Sequence, residues 1–365
     1  METKPLSGLV PPQLWLPESS SKLIIAGPCS AESPEQLLSV AKELKQNGTV
    51  SYLRAGVWKP RTTPGSFQGV GTIGLEWLRD IKQEIGMPYC TEVGSEKHVY
   101  EALKFGVDMV WIGARTVSNP FVMQEIAEAL RGVNIPVLVK NPLSPDIDLW
   151  EGAIKRLYNV GIRKIGAIHR GFSWWGKSVF RNQPFWKIPL ELKEKYHELP
   201  VICDPSHISG NRKLVPFVAK RGLDLGFDGL IVEVHPDPSN ALSDAAQQLT
   251  PNEFENLMSF LIGKGNPNLA YPDELLNELR AEVDIMDDLL LWVLSNRMEL
   301  SENIASVKTS QKMKALQSKR WSQVLNRVTD SGEKSGLRAD FIRKLYNVIH
   351  KESITIQSEL IEKTE

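Results

Sequence analysis

The sequence predicts an α/β fold, a (β/α)8 TIM barrel, followed by an all-helical segment. Three observations carry that prediction. Eight short apolar runs alternate with segments of helical period between Lys22 and Leu261. Each run delivers a polar or reactive residue at its end. Beyond them, Asp273–Thr309 contains neither proline nor glycine. Eight βα units in roughly 240 residues match a closed barrel in size and count. A doubly wound open sheet is the alternative, but the first unit lacks the strand–GxGxxG–helix signature that would favour it.

The runs are Leu23–Ala26, Val50–Leu53, Pro88–Val93, Met109–Ile112, Pro136–Val139, Lys164–Ile168, Val201–Cys203 and Gly229–Val234. Helical stretches lie at Pro34–Gln46, Leu75–Ile85, Glu96–Lys104, Pro120–Leu130, Leu149–Asn159 and Lys213–Lys220. Pro34 after Ser33 is a favourable helix start. Gly48, Gly86, Gly106, Gly161 and Gly222 stand where helices should stop. The polar, proline-rich segment 1–21 is expected to be a loose leader, 22–262 the barrel, and 263–272 a linker. Residues 273–365 then form the helical domain. Its helices are Asp273–Thr309, Gln311–Val328 and Leu337–Leu360. At roughly 1.5 Å per residue the first is on the order of 55 Å long, too long to bury itself in a small domain.

The 365 residues carry a net charge of −1. No global field therefore favours nucleic acid or a membrane surface, and any anion site must be a local cluster. No apolar run reaches the roughly 18 residues of a membrane span, and the N-terminus lacks a signal-peptide core, so a cytoplasmic location is expected. Three widely spaced cysteines, Cys29, Cys90 and Cys203, do not form a disulfide framework.

Functional residues of such barrels sit at the C-terminal strand ends. Here these are Cys29, Arg54, Glu92, Arg115, Lys140, His169 with Arg170, Asp204 with His207, and Glu233 with His235. Cys29, His207, Glu233 and Asp244 make a mixed sulfur, nitrogen and oxygen donor set. It suits one divalent first-row ion of the Mn, Fe, Co or Zn class. Arg54, Lys59, Arg61, Arg115, Lys140 and Arg170 form a second, cationic set fit for phosphate and carboxylate groups. Lys59 and Arg61 lie with Thr62, Thr63 and Ser66 on a loop stiffened by Pro60 and Pro64.

Five motifs resemble 3-deoxy-D-arabino-heptulosonate-7-phosphate (DAHP) synthases of the compact, bare-barrel type. They are Gly27-Pro28-Cys29-Ser30, the run Arg54–Thr62, Ile112-Gly113-Ala114-Arg115, Asp204-Pro205-Ser206-His207, and Glu233–Pro238 followed by Ala241–Asp244. The resemblance implies condensation of phosphoenolpyruvate with erythrose 4-phosphate. It implies that Cys29, His207, Glu233 and Asp244 bind the metal. Arg54, Lys59, Arg115, Lys140 and Arg170 would hold phosphoenolpyruvate, with Lys59 catalytic, while Arg61, Thr62 and Ser66 would hold erythrose 4-phosphate. After Arg170 the chain departs from the family, with Gly171-Phe172-Ser173-Trp174-Trp175 in place of a more polar stretch. A related octulosonate-phosphate synthase is the rival, and the run Lys59-Pro60-Arg61-Thr62 favours the heptulosonate enzyme.

In the helical segment, polar residues interrupt the apolar stripes: Arg297 between Val293 and Leu300, and Ser353 between Ile349 and Ile356. Polar groups on a packed face need partners. Either internal hydrogen bonds or a buried anionic ligand would supply them. Leu279-Arg280, Asp284, Asn296-Arg297, Ile304, Lys308, Arg320 and Ser353 with Gln357 resemble the all-helical (AroQ-class) chorismate mutases, which are intertwined dimers. The resemblance implies a homodimer through these helices. Chorismate would bind to Arg280 (from the partner subunit), Arg297, Lys308, Arg320, Ser353 and Gln357, with Lys308 and Gln357 catalytic at the ether oxygen. Where that family usually has carboxylates around Arg320, this chain has Gln317 and Trp321. A regulatory module that binds chorismate or prephenate as feedback ligand is the alternative.

Overall fold

A computed structural model describes residues 6–15, 22–59, 65–176, 178–261, 273–311, 313–334 and 336–362. Eight parallel strands close into a barrel in chain order. They are β1 (Leu23–Gly27), β2 (Tyr52–Arg54), β3 (Tyr89–Val93), β4 (Met109–Ile112), β5 (Val137–Lys140), β6 (Ile165–His169), β7 (Val201–Cys203) and β8 (Gly229–Glu233). Closure pairs β1 with β8 from Leu23↔Gly229 to Gly27↔Glu233. Gly27 adopts φ +146, and a Cβ there would stand 2.2 Å from the Arg54 carbonyl oxygen. Only glycine allows β1 and β2 to approach so closely just before Cys29.

The barrel helices are α1 (Pro34–Asn47), α2 (Ile73–Ile85), α3 (Glu96–Lys104), α4 (Ala114–Val117), α5 (Pro120–Ala129), α6 (Ile147–Asn159), α7 (Lys187–Lys195), α8 (Pro205–Ser209), α9 (Val215–Asp224) and α10 (Pro251–Leu261). Side-chain caps start several of them: Ser33 accepts from Gln36 N, Ser95 from His98 N and Asp146 from Leu149 N. Gly48 and Gly86 end their helices in the left-handed conformation. Gly222 does not stop its helix. It lies within α9, where a Cβ would collide with Cys203, and Gly226 (φ +81) follows the helix instead.

Apolar residues divide between two cores. One lies between strands and helices; the other fills the barrel with Leu23, Ile25, Cys90, Met109, Trp111, Leu138, Ile168, Ile202 and Ile231. Trp15 belongs to the second core. The described part of the leader, residues 6–15, is therefore packed rather than loose. Val10 N donates to Arg163 O at 2.9 Å, and Tyr52 Oη donates to Trp15 O at 2.7 Å. Residues 1–5 and 16–21, and the expected linker, lie outside the described residues.

The chain divides into two compact units, Met1–Ala281 and Glu282–Glu365, with the boundary inside α11 (Asp273–Ser310). α12 (Ser318–Lys334) and α13 (Ala339–Glu362) complete the second unit. Helix α12 begins later than expected, and in the loop before it the Lys308 ammonium donates to the Ala315 carbonyl. Among the described residues, no helix is long and apolar enough to cross a membrane.

Candidate active sites

In the barrel, the chain places Cys29 directly after β1, Glu233 at the end of β8 and Asp244 on the loop beyond. One ligand atom from each lies within 4.8 Å of the others. Asp244 takes φ +48, an unusual conformation for a residue with a side chain. His207, on α8, stands beside this trio with Nε2 3.7 Å from Glu233 Oε1. Its Nδ1 lies 3.0 Å from Asp204 Oδ1. Burial, opposed by Asp204, lowers the His207 pKa, so the ring is neutral. A neutral ring donating from Nδ1 leaves the Nε2 lone pair toward Glu233, the tautomer a metal ligand requires. Burial and Glu233 push the Cys29 thiol up to about 12, although Lys59 opposes them. A thiol, an imidazole and two carboxylates brought together at the strand ends fit a divalent first-row ion.

The cations converge around that set. Arg54 Nη2 donates to Glu233 Oε1 at 3.0 Å, and its guanidinium lies 5.0 Å from the Trp111 ring centroid. Arg54 is 1% exposed, and its Nε and Nη1 have no hydrogen-bond partner among the described residues. Lys59 Nζ donates to Cys29 O at 2.8 Å and lies 3.0 Å from its Sγ. Burial depresses Lys59, but Cys29 and Glu233 outweigh it and raise the pKa. Lys140 pairs with Asp204 at 3.0 Å. Arg170 donates to Asn182 Oδ1 at 2.6 Å, and its pKa falls to about 10 through burial and the nearby cations Arg181 and Arg115. Arg115 is exposed on α4 and Ser66 is half-buried on its loop, while Arg61 and Thr62 lie outside the described residues.

Several supporting residues carried no assigned role in the sequence. Asp204 bonds both Lys140 and His207; burial would raise its pKa, yet its contacts with the His207 ring and the Lys140 ammonium hold it well below the usual carboxylate range. The Asp204–His207 spacing was the available signal. Gln247 donates to Glu233, Gln248 accepts from Cys29 N, and Arg181 donates to Asp244. Uncharged glutamines on a distal loop give no such signal.

In the second unit, α11 and α13 are joined by polar contacts. Arg297 Nη1 donates to Ser353 Oγ, and Lys308 Nζ donates to Gln357 Oε1 at 2.8 Å. Ser353 and Gln357 are buried. Burial lowers the pKa of both Arg297 and Lys308. Internal hydrogen bonds thus supply the partners that the interrupted stripes demanded. Arg280 and Arg320 are exposed.

A closed parallel barrel with a ligand trio and buried cations at its strand ends, joined to a helical unit with paired cations, defines an enzyme of two domains. Residues 18–266 match the DAHP synthetase I family and residues 279–358 match chorismate mutase type II. The chain belongs to the DAHP synthetase I family and carries a chorismate mutase domain after its barrel. A phospho-2-dehydro-3-deoxyheptonate aldolase of Thermotoga maritima is 37% identical over 235 residues, 64% of this chain and 67% of that one. A 2-dehydro-3-deoxyphosphooctonate aldolase of Helicobacter pylori is 28% identical, covering 67% of this chain and 96% of that one. The crystal structure of DAHP synthase from Thermotoga maritima superposes with a TM-score of 0.61 at 34% identity, covering 67% of this chain and 69% of that one. A truncated form of the Thermotoga maritima 3-deoxy-D-arabino-heptulosonate 7-phosphate synthase gives 0.58 at 32% identity, covering 67% and 87%.

Proposed function

We propose that the chain is a bifunctional shikimate-pathway enzyme. The barrel condenses phosphoenolpyruvate with erythrose 4-phosphate to DAHP and phosphate, and the helical domain rearranges chorismate to prephenate. The observation that carries the condensation is Arg54, a buried guanidinium with two unsatisfied nitrogens. Leaving such donors dry is costly, and a carboxylate oxygen of phosphoenolpyruvate would satisfy them. Lys59, Arg115, Lys140 and Arg170 complete that binding site. Arg61, Thr62 and Ser66 take the second phosphorylated substrate. Two anions would repel each other without these cations.

Cys29, His207, Glu233 and Asp244 hold one divalent ion, which supplies Lewis-acid polarisation of the aldehyde when bound. The enol carbon of phosphoenolpyruvate attacks the aldehyde carbon, and Lys59, beside Cys29, donates a proton to the resulting alkoxide. Water adds at the carbon that bore the phosphate, and phosphate leaves. In the helical domain the rearrangement needs no acid, base or nucleophile. Arg297, Arg320 and Ser353 hold a compact conformer, and Lys308 and Gln357 stabilise charge at the breaking ether bond.

A homodimer through α11 belongs to the same proposal. Val283, Leu290, Val293, Leu300, Ile304 and Val307 are each about half exposed or more on the single chain. A stripe of that extent calls for a cover, and a second copy supplies both the cover and Arg280. The octulosonate reading is favoured by the Helicobacter relative but opposed by the higher identity to the heptonate enzyme. Assays of the full-length protein discriminate. Phosphate release with erythrose 4-phosphate but not arabinose 5-phosphate, together with prephenate formation from chorismate, is expected. Prephenate that slows the barrel with no mutase turnover would leave the helical domain as a sensor.

A further inference from the structure

Helix α13 carries a third polar group on the face that holds Ser353 and Gln357. His350 lies three residues before Ser353, so these three side chains share one side of the helix. The His350 ring stacks face to face on Trp321 of α12, with centroids 3.8 Å apart and planes 3° from parallel. The stack fixes the imidazole plane. His350 Nε2 is buried and has no hydrogen-bond partner among the described residues. Ser353 and Gln357, by contrast, are already engaged by Arg297 and Lys308. Burial, Arg297 and Lys308 all lower the His350 pKa, so the ring stays neutral at pH 7.

Chorismate presents two carboxylates, an ether oxygen and one ring hydroxyl. Cations suit the carboxylates and the ether oxygen. A hydroxyl is read best by a neutral group with one free nitrogen, because a buried polar atom left dry penalises a ligand that cannot pair with it. Trp321 offers a flat wall that holds the ring plane fixed. We propose that His350, held in plane by Trp321, is a specificity-determining residue that hydrogen-bonds the ring hydroxyl of chorismate. The assignment rests on the mutase function proposed above.

The test uses full-length protein, chorismate and the analogue lacking the ring hydroxyl. His350→Phe keeps the stack and removes the nitrogen, whereas His350→Gln restores a hydrogen-bonding group. His350→Phe should lower kcat/KM for chorismate by about tenfold or more and change the deoxy analogue by less than about threefold. His350→Gln should recover part of the loss on chorismate alone. Calorimetric titration of both compounds supplies a second readout that does not depend on turnover. Equal losses on both compounds would make His350 a structural wall, and no loss on either would give it no role; both results overturn the proposal. If the wild type binds chorismate without converting it, and His350→Phe still erases the preference for the hydroxyl, only the mutase function is refuted. If the wild type does not bind chorismate, both fall.

Discussion

Residues in this chain act through burial and its compensation. Lys59 is placed against Cys29 by a hydrogen bond to the Cys29 carbonyl. Lys59→Met is therefore expected to lower condensation by about a hundredfold or more while prephenate formation is unchanged. Parallel assays of one preparation check it, and an unaffected condensation would dismiss Lys59 as a catalytic group. Glu151 on α6 shows the same logic in a structural role. It is 3% exposed and accepts from Lys155, Lys195 and Tyr196. Burial would raise its pKa, but these bonds outweigh burial and lower it. A depressed carboxyl contributes stability above its unfolded pKa of about 4.3, which is lost as pH falls through the folded value. Glu151→Gln should cost about 1–3 kcal/mol at pH 7. The gap to wild type, followed by urea midpoints, should close as pH is brought toward 3. Asp204 shows how far such roles are legible beforehand: its spacing to His207 marked it, whereas Gln247 and Gln248 carry no charge or motif.

Elements were legible wherever a local rule agreed with the tertiary fold. Each of the eight expected runs became a strand, because parallel barrel strands are buried on both faces and read as continuous apolar runs. Helix α7 was not anticipated: Pro189 sits in its first turn, and the aromatic loop before it obscures the helical period. The leader packs for a reason no periodicity shows: Trp15 enters the barrel core while Leu6 and Leu9 join the core between strands and helices. Gly222 looked like a stop, but its lack of a side chain serves contact with Cys203. Gly27 is the element-scale position most sensitive to change. Gly27→Ala should cost about 1–3 kcal/mol or more, since Cβ would strike the Arg54 backbone and the φ is unfavourable. A lowered thermal midpoint with impaired condensation is expected, and an unchanged midpoint would contradict the close approach of β1 and β2.

On the scale of the whole molecule, two units carry the two proposed chemistries with separate residue sets. The over-long first helix was legible in the sequence and spans Asp273–Ser310; its outward apolar stripe is what the proposed dimer would cover. The Trp321–His350 pair was not legible, because its members lie on different helices and neither belongs to a motif. Leu290→Asp with Leu300→Asp should convert a dimer to a monomer in sedimentation and reduce prephenate formation by about tenfold or more, with condensation retained as proof of folding. The central claim is that two independent sites serve two reactions. Cys29→Ser tests it most directly in the full-length protein. Condensation should vanish with loss of bound divalent metal, while chorismate is converted at the wild-type rate. Loss of both activities, or retention of both, would contradict the account.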